Sequence, residues 1–151
     1  KSDGPATPRL EKLLQREETL GLSQAQTFWD LNDRIQESRE QLVTLLGELK
    51  REGKRVVGYG ATAKSTIVTN FCKIGPDLIE FISDTTPTKQ GKFSPGAHIP
   101  VKPYEEFLKD YPDSAVLFAW NHGEEILAKE KDFLSKGGRF ITFVPKVGIL
   151  D

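Results

Sequence analysis

The stretch Gly58-Tyr59-Gly60-Ala61-Thr62-Ala63-Lys64-Ser65 lies between a predicted strand and a predicted helix, and it decides the fold. Its two glycines permit a tight turn and a close approach of the backbone to a ligand, and the small Ala63 permits tight helix packing. The amide groups at the start of the helix attract an anion such as a pyrophosphate. The pattern is typical of a nucleotide-binding turn, although a purely structural strand-to-helix turn has it too.

Short β-branched or aromatic runs alternate with helical stretches on both sides of this turn. The alternation predicts an α/β domain with a Rossmann-like parallel sheet flanked by helices. The predicted strands cover 55–59, 79–83, 115–120 and 138–144, and the predicted helices cover 62–74, 103–110 and 124–136. The stretch between 84 and 101 shows no clear period, and a long loop in a compact domain is usually functional or mobile.

Two amphipathic helices are predicted ahead of this domain. The first opens with the capping residue Thr7 and a proline, and the second begins after Ser23 and keeps apolar residues three to four positions apart. The chain is therefore expected to divide into a helical extension, residues 1–53, and a Rossmann-like domain, residues 54–151. The apolar stripe is expected to pack on the following domain or on a further part of the chain, or else to form a coiled coil.

Composition excludes several classes of function. With 21 Lys and Arg against 22 Asp and Glu in 151 residues, the chain lacks the charge of a general nucleic-acid or membrane binder. The single cysteine, Cys72, forms no internal disulfide and has no metal-ligand spacing around it, so we expect no metal and a cytoplasmic location. Because the chain contains no Met and begins with Lys1, we expect it to be a fragment of a longer polypeptide.

Polar residues follow the predicted strands, at the rim where open α/β sheets bind ligands. Asp84 stands where a dinucleotide fold places its ribose-binding acid. Asn121 either contacts a ligand or pairs with Glu124 as a helix cap. The segment 84–102 carries three lysines and His98, a positive patch that either pairs with phosphate oxygens or only keeps the loop solvated.

Further blocks accompany the turn: Asp84 with Pro87, Lys89-Gln90-Gly91, Pro95-Gly96, His98-Ile99-Pro100, Ala119-Trp120-Asn121 with Glu125-Ile126, and Gly137-Gly138-Arg139-Phe140 before Pro145. Through these blocks, residues 53–146 resemble the carboxyl-terminal domain of the S-adenosylmethionine-dependent sugar C-methyltransferases, which act on nucleotide-linked keto-deoxysugars. The helices before residue 53 resemble the connector of that family more weakly.

The resemblance implies an enzyme of three parts, in which a zinc-binding domain and a central methyltransferase domain precede this one. The central domain would hold S-adenosylmethionine and the catalytic residues, so we expect no cofactor, no catalytic residue and no methyl transfer in this chain alone. Its partners would be those upstream domains and a dTDP-linked sugar. The residues expected to bind this substrate are Gly58, Gly60, Ala61, Lys64, Asp84, Lys89, Gln90, His98, Trp120 and Asn121.

Three other interpretations remain open at this point. The turn with Asp84 also fits an NAD(P)-binding domain of an oxidoreductase or a nucleotide sensor, although the family blocks argue against it. A Walker loop would use Lys64 for phosphate and Ser65 for magnesium, but Ala63 replaces a glycine that such a loop needs. Finally, the helical extension would serve only for docking or dimerisation in a scaffold protein.

Overall fold

The structure is a computed structural model, and it describes residues 7–150. In chain order the elements are α1 (Pro8–Thr19), α2 (Ala25–Arg51), β1 (Val56–Tyr59), α3 (Ala63–Cys72), β2 (Ile82–Asp84), β3 (Val101–Pro103), α4 (Tyr104–Lys109), β4 (Ser114–Leu117), α5 (Gly123–Lys129), α6 (Lys131–Ser135), β5 (Arg139–Thr142) and β6 (Gly148–Leu150). A short 3-10 helix, Trp120–His122, joins β4 to α5.

The chain forms two compact units that divide between Glu37 and Ser38, inside α2, rather than at residue 53. The physical reason is that the second half of α2 belongs to the core of the second unit. There Leu42 and Leu46 are almost completely buried, at 1% and 0% exposure. A helix that looks continuous in sequence thus contributes to two units.

The first unit contains α1 and the first half of α2. The predicted cap is confirmed, because the Thr7 side chain accepts a hydrogen bond from the Leu10 amide at 3.3 Å and proline occupies the first position of the helix. No described side chain of this unit is buried, and its large apolar residues, among them Phe28 and Trp29, are 42% to 63% exposed. Within residues 7–150, no helix has both the length and the apolar character needed to cross a membrane.

The second unit is built on a six-stranded sheet with the strand order β3-β2-β1-β4-β5-β6. All neighbouring strands are parallel except β5 and β6, which are antiparallel. The predicted α/β fold, a Rossmann-like parallel sheet flanked by helices with a helical extension ahead of it, is confirmed, and β6 adds one antiparallel strand at the edge of the sheet. The sequence did not indicate β3 or β6, since three-residue edge strands are too short to show a periodic pattern.

The core has two hydrophobic clusters of different character. One is mainly aliphatic and includes Leu42 and Leu46 of α2 together with Val116 and Phe118. The other is rich in aromatic rings that pack edge-on or tilted, such as Phe107, Phe133 and Phe140. The buried members of both clusters are at most 8% exposed, so the hydrophobic core supports the sheet whose rim carries the candidate site.

The strands predicted over 79–83 and 138–144 are shorter in the structure, at Ile82–Asp84 and Arg139–Thr142, and two further predicted elements change in character before their predicted ends. The strand predicted to reach Trp120 stops at Leu117, and the chain turns into the 3-10 helix. The helix predicted over 124–136 is interrupted at Glu130, whose backbone (φ −96°, ψ 31°) departs from helical geometry. Glu130 is 2% exposed. Its side chain bonds to two tyrosines, and this long-range interaction was not visible in the local pattern.

The predicted loop between β2 and β3 folds back as a hairpin over residues 91–101, here called the hairpin. Gly91 donates its amide to the Val101 carbonyl at 2.9 Å, and Ser94 donates to the Ile99 carbonyl at 2.8 Å. The amide of Asn70 in α3 donates to the Pro95 carbonyl at 2.9 Å. These bonds fix the hairpin against α3.

Candidate functional site

A crevice is expected where β1 and β4 lie side by side, because their connections leave the sheet in opposite directions at this point. The Gly60 turn forms one side, and the segment after β4 forms the other. Gly60 has φ +92°, and a Cβ atom added to it would lie 3.1 Å from the Cβ of Ala119. Glycine is therefore favoured here by the backbone conformation, and a side chain would also make a tight contact with Ala119.

Lys64 crosses this crevice. Its ammonium donates a hydrogen bond to Asn121 Oδ1 at 2.9 Å and lies 5.7 Å from the centre of the Trp120 ring. Within residues 7–150 no carboxylate forms an ion pair with it. A cation held only by a neutral amide and an aromatic face retains its attraction for an anionic ligand.

Asn121 does not act as a helix cap, although the sequence allowed that role. The 3-10 helix and α5 both begin without a side-chain capping bond. Its amide oxygen is instead used by Lys64. The structure therefore favours a role of Asn121 at the crevice over a capping pair with Glu124.

Asp84 is bonded to protein groups on both of its oxygens. Oδ2 accepts from the Ala61 amide at 2.7 Å and from Lys89 Nζ at 3.3 Å, and Oδ1 accepts from the Thr86 amide at 2.8 Å. Burial raises the pKa of Asp84, but these hydrogen bonds outweigh it and hold the pKa below its ordinary value. Three of the roughly four acceptor positions of this carboxylate are used within the protein. Its side chain is also only 7% exposed, so Asp84 is poorly placed to bind a ribose diol, which argues against a dinucleotide site.

The remaining predicted site residues fall into three places. Gln90 supports the Asp84 cluster, because its amide donates to the Asp84 carbonyl at 3.0 Å. Gly58 is buried in the sheet, where a Cβ atom would lie 2.7 Å from Phe118 Cε2, so close packing alone requires glycine. His98 is an exposed residue of the hairpin with φ +54°. Contact with substrate stays a prediction for all ten of the residues named from the sequence.

Two clefts open near this rim. The β4–β5 cleft has a volume of about 820 Å³, and its lining includes Trp120, Asn121, Glu124, Glu125, Thr142 and Val144. The hairpin cleft has a volume of about 250 Å³, and its lining includes Ala61, Thr66, Thr88, Lys89, Lys92 and Phe93. Sequence reasoning did not select Thr142, Thr66, Thr88 or Phe93, because single threonines and a phenylalanine form no motif.

A buried polar cluster flanks the same turn on the aromatic face of the sheet. The hydroxyls of Tyr59 and Tyr104 each donate to Glu130 Oε1 at 2.7 Å, and Lys129 Nζ lies 3.4 Å from that oxygen. Burial raises the pKa of both tyrosines, and the bonds to Glu130 raise it further. The cluster was missed because its members are far apart in sequence and resemble ordinary surface residues.

The Walker interpretation does not agree with the geometry. Ser65 is 1% exposed and donates its hydroxyl hydrogen bond to the Thr62 carbonyl at 2.6 Å. Its backbone amide donates to the Thr62 side chain, which caps α3. Ser65 is thus part of the helix start, and its hydroxyl is engaged by the Thr62 carbonyl.

The strand order and the glycine turn define a Rossmann-like α/β domain. A family model described as "C-methyltransferase C-terminal domain" matches residues 1–145, and the chain belongs to this family. The chain is 36% identical to the C-methyltransferase NovU of Streptomyces niveus over 149 residues, which are 99% of this chain and 36% of that protein. It therefore spans about a third of the length of this curated relative. The resemblance found in the sequence blocks is confirmed at the level of this family.

Proposed function

We propose that this chain is the nucleotide-sugar-binding domain of a longer, cytoplasmic S-adenosylmethionine-dependent C-methyltransferase that acts on a dTDP-linked keto-deoxysugar. The main support is Lys64, a cation without a carboxylate partner in the described chain, placed at the crevice between the Gly60 turn and Trp120. Membership of the C-methyltransferase family supplies the chemical context.

Each rim residue has a physical role in this proposal. Gly60 allows a diphosphate to approach the backbone, and Lys64 neutralises part of its charge. Asn121, once released from Lys64, offers both a donor and an acceptor to the ligand. The half-exposed ring of Trp120, 38% accessible, offers a flat apolar surface for a sugar or a base. Asp84 and Lys89 hold the turn in place.

The rim described here does not fit S-adenosylmethionine. A ribose diol needs an accessible acceptor at the end of β2, and Asp84 there is 7% exposed and already accepts from Ala61, Thr86 and Lys89. As the family resemblance implies, we assign the methyl donor, the catalytic base and any zinc to other domains of the longer enzyme. In this proposal the present chain binds and orients the substrate, and by itself it transfers no methyl group.

Isothermal titration of the chain with dTDP, NAD and S-adenosylmethionine, at one salt concentration, tests this function. Binding of dTDP without binding of the other two is the expected result. NAD binding tighter than dTDP would overturn the proposal. If none of the three ligands binds, the result would contradict substrate binding by this domain on its own.

A second role, docking, is favoured by the exposed apolar residues of the first unit, including Phe28, Trp29 and Leu31. Because α2 enters the core of the second unit after Glu37, a truncation that tests this role must stop there. The molecular mass in solution, measured by scattering for the whole chain and for residues 38–151, shows whether dimerisation requires residues 1–37. A dimer that needs residues 1–37, combined with absence of nucleotide binding, would favour a scaffold over a substrate-binding domain.

A further inference from the structure

The backbone amides of the glycine turn already donate hydrogen bonds within the protein. The Gly60 amide donates to the Ser83 carbonyl at 2.8 Å, and the Thr62 amide donates to the Gly60 carbonyl at 3.0 Å. Between them, the Ala61 amide donates to Asp84 Oδ2 at 2.7 Å. An N–H group has one hydrogen to donate, so an amide held this closely is not open to a phosphate. The turn therefore has the shape of an anion-binding loop, but these three amides are engaged.

Asp84 binds the kind of donors that a phosphate would use. Its carboxylate accepts from the backbone amides of Ala61 and Thr86 and from Lys89 Nζ. Backbone amides together with a lysine are a typical donor set for a phosphate at a glycine-rich turn. Burial raises the pKa of Asp84, but its hydrogen bonds outweigh burial, so the pKa lies below its ordinary value and the carboxylate is ionised at neutral pH. The side chain is 7% exposed, so an external anion would have to displace it to reach these donors.

We propose that Asp84 is a specificity-determining residue that acts as an internal anion. Its carboxylate withholds the Ala61 amide and the Lys89 ammonium from external phosphates and so keeps the diphosphate of a ligand out of the glycine turn. The charge of that diphosphate is then bound by Lys64 at the crevice. This inference rests on the function proposed above for the nature of the ligand, a nucleoside diphosphate, whereas the closing of the turn to anions does not depend on it.

Two lysines near the turn differ in the charge of their partners. Lys89 lies 3.3 Å from the buried carboxylate of Asp84, which offsets its attraction for a second anion. Lys64 donates to the neutral amide of Asn121, and no carboxylate within residues 7–150 pairs with it. An anionic ligand therefore gains more by binding at Lys64 than by binding at Lys89.

The same carboxylate acts against two contacts that a dinucleotide makes in a Rossmann-like fold. A dinucleotide places its diphosphate at the glycine turn and its ribose at the acid that follows β2. Here Asp84 takes the Ala61 amide of the turn, and its own oxygens are used by protein donors. One residue thus separates the glycine-turn pattern from the ligand that usually accompanies it.

Titration of the wild type and of Asp84→Asn with inorganic pyrophosphate and with dTDP tests the inference. The substitution removes the internal anion and frees Lys89, so the affinity for pyrophosphate should rise about fivefold. Asp113→Asn is the matched control, because Asp113 accepts from the Arg55 amide at 2.8 Å and from Lys54 Nζ at 3.0 Å. That pair lies at the opposite end of β1, so the control removes an equal charge and should leave both affinities within about twofold. Thermal unfolding of both variants verifies that they are folded.

Lysine variants keep the buried carboxylate in place and test the inference even if Asp84→Asn does not fold. Lys89→Ala should lower the dTDP affinity by less than about threefold, because its ammonium is already paired, whereas Lys64→Ala should lower it about tenfold. Lys109→Ala, in α4, measures the effect of losing one positive charge elsewhere. When Lys89→Ala is added to Asp84→Asn, most of the gain in pyrophosphate affinity should disappear.

The possible results distinguish this inference from the proposed function. If the wild type binds dTDP but Asp84→Asn gains no affinity for pyrophosphate, or if Lys89→Ala costs as much as Lys64→Ala, the inference fails alone. A fall in dTDP affinity in Asp84→Asn would show that the carboxylate contacts the ligand and would also overturn the inference. If the wild type binds no dTDP while Asp84→Asn gains pyrophosphate binding, the internal anion is supported and the nucleotide-sugar function fails. If neither protein binds either probe, both fail.

Discussion

Two polar clusters flank the glycine turn, and they differ in how completely their members are satisfied. In the buried cluster Glu130, 2% exposed, accepts two tyrosine hydroxyls and lies beside Lys129. In the rim cluster the partners of Lys64 among residues 7–150 are the neutral Asn121 amide and the face of the Trp120 ring. A buried charge must be paired within the protein, whereas an exposed cation keeps its capacity to bind a ligand.

The comparison indicates that the segment Tyr59-Gly60 has two different sides. Residues on one side stabilise the fold, and residues on the other side are available to bind a ligand. Tyr59 turns into the aromatic core, and the next residue, Gly60, opens toward the crevice. Substitutions in the buried cluster should therefore change unfolding, and substitutions at the rim should change binding. The following predictions test that separation in order of expected size.

The largest effect is expected for Glu130→Ala. Removal of the carboxylate leaves the hydroxyls of Tyr59 and Tyr104 without their acceptor, so the free energy of unfolding should fall by about 3 kcal/mol. Urea denaturation measures this loss. Glu106→Ala removes an exposed glutamate from α4 and should cost less than about 1 kcal/mol. A loss below 1 kcal/mol in Glu130→Ala would show that the buried cluster is not a source of stability.

The second largest effect is expected for Gly60→Val, because this substitution should change both the free energy of unfolding and ligand binding. The backbone at φ +92° strains any side chain, and the added atoms meet Ala119, so we expect a loss of stability of about 2 kcal/mol. The same atoms fill the space that a phosphate needs, so dTDP binding should disappear. Gly47→Val, in α2 with open space around it, should change the unfolding free energy by less than about 0.5 kcal/mol. Unchanged dTDP affinity in Gly60→Val would place the ligand elsewhere.

Lys64→Ala should separate binding from stability most cleanly. The affinity for dTDP should fall about tenfold, equivalent to about 1.4 kcal/mol, because one phosphate contact is lost. The urea midpoint should hardly move, since the bond to Asn121 is exposed. Lys64→Arg keeps the charge and should recover part of the affinity. A large drop in stability without a change in affinity would assign Lys64 to the fold instead.

The smallest effect concerns pH. The pKa of Asp84 in the folded protein lies below its ordinary value of 3.8, so its ionised form stabilises the fold at pH values above 3.8. As pH falls from there through the folded pKa, this contribution is lost. Urea denaturation between pH 6 and pH 2.5 should show a smaller acid-dependent loss in Asp84→Asn than in the wild type. Parallel curves for the two proteins would contradict the role given to the Asp84 hydrogen bonds.

Local signals in the sequence were sufficient for several elements. Thr7 followed by proline placed the start of α1, since a cap is decided by residues that are three positions apart. The glycine turn was placed between β1 and α3 for the same reason. The edge strands β3 and β6 were not foreseen, because each has only three residues and exists only through its pairing with a neighbour.

The candidate site was predicted as a set of residues but not as an arrangement. Asp84 was predicted to bind a ligand. In the structure its carboxylate oxygens accept hydrogen bonds from Ala61, Thr86 and Lys89. His98 matched a family block, yet it lies exposed on the hairpin and lines neither of the two clefts. The bonding of Asp84 and the position of His98 are set by the folded segment between β2 and β3, which shows no periodic pattern in the sequence.

The sequence by itself determined the α/β class and the position of the glycine turn, because periodicity and turn chemistry act over a few neighbouring residues, and its separate blocks carried the resemblance to the family. The tertiary structure alone decided which residues meet. Lys64 and Asn121 are 57 positions apart, and Tyr59 and Glu130 are 71 apart. Both pairs form only because β1 and β4 lie side by side in the sheet, and strand order is a property of the whole packed domain.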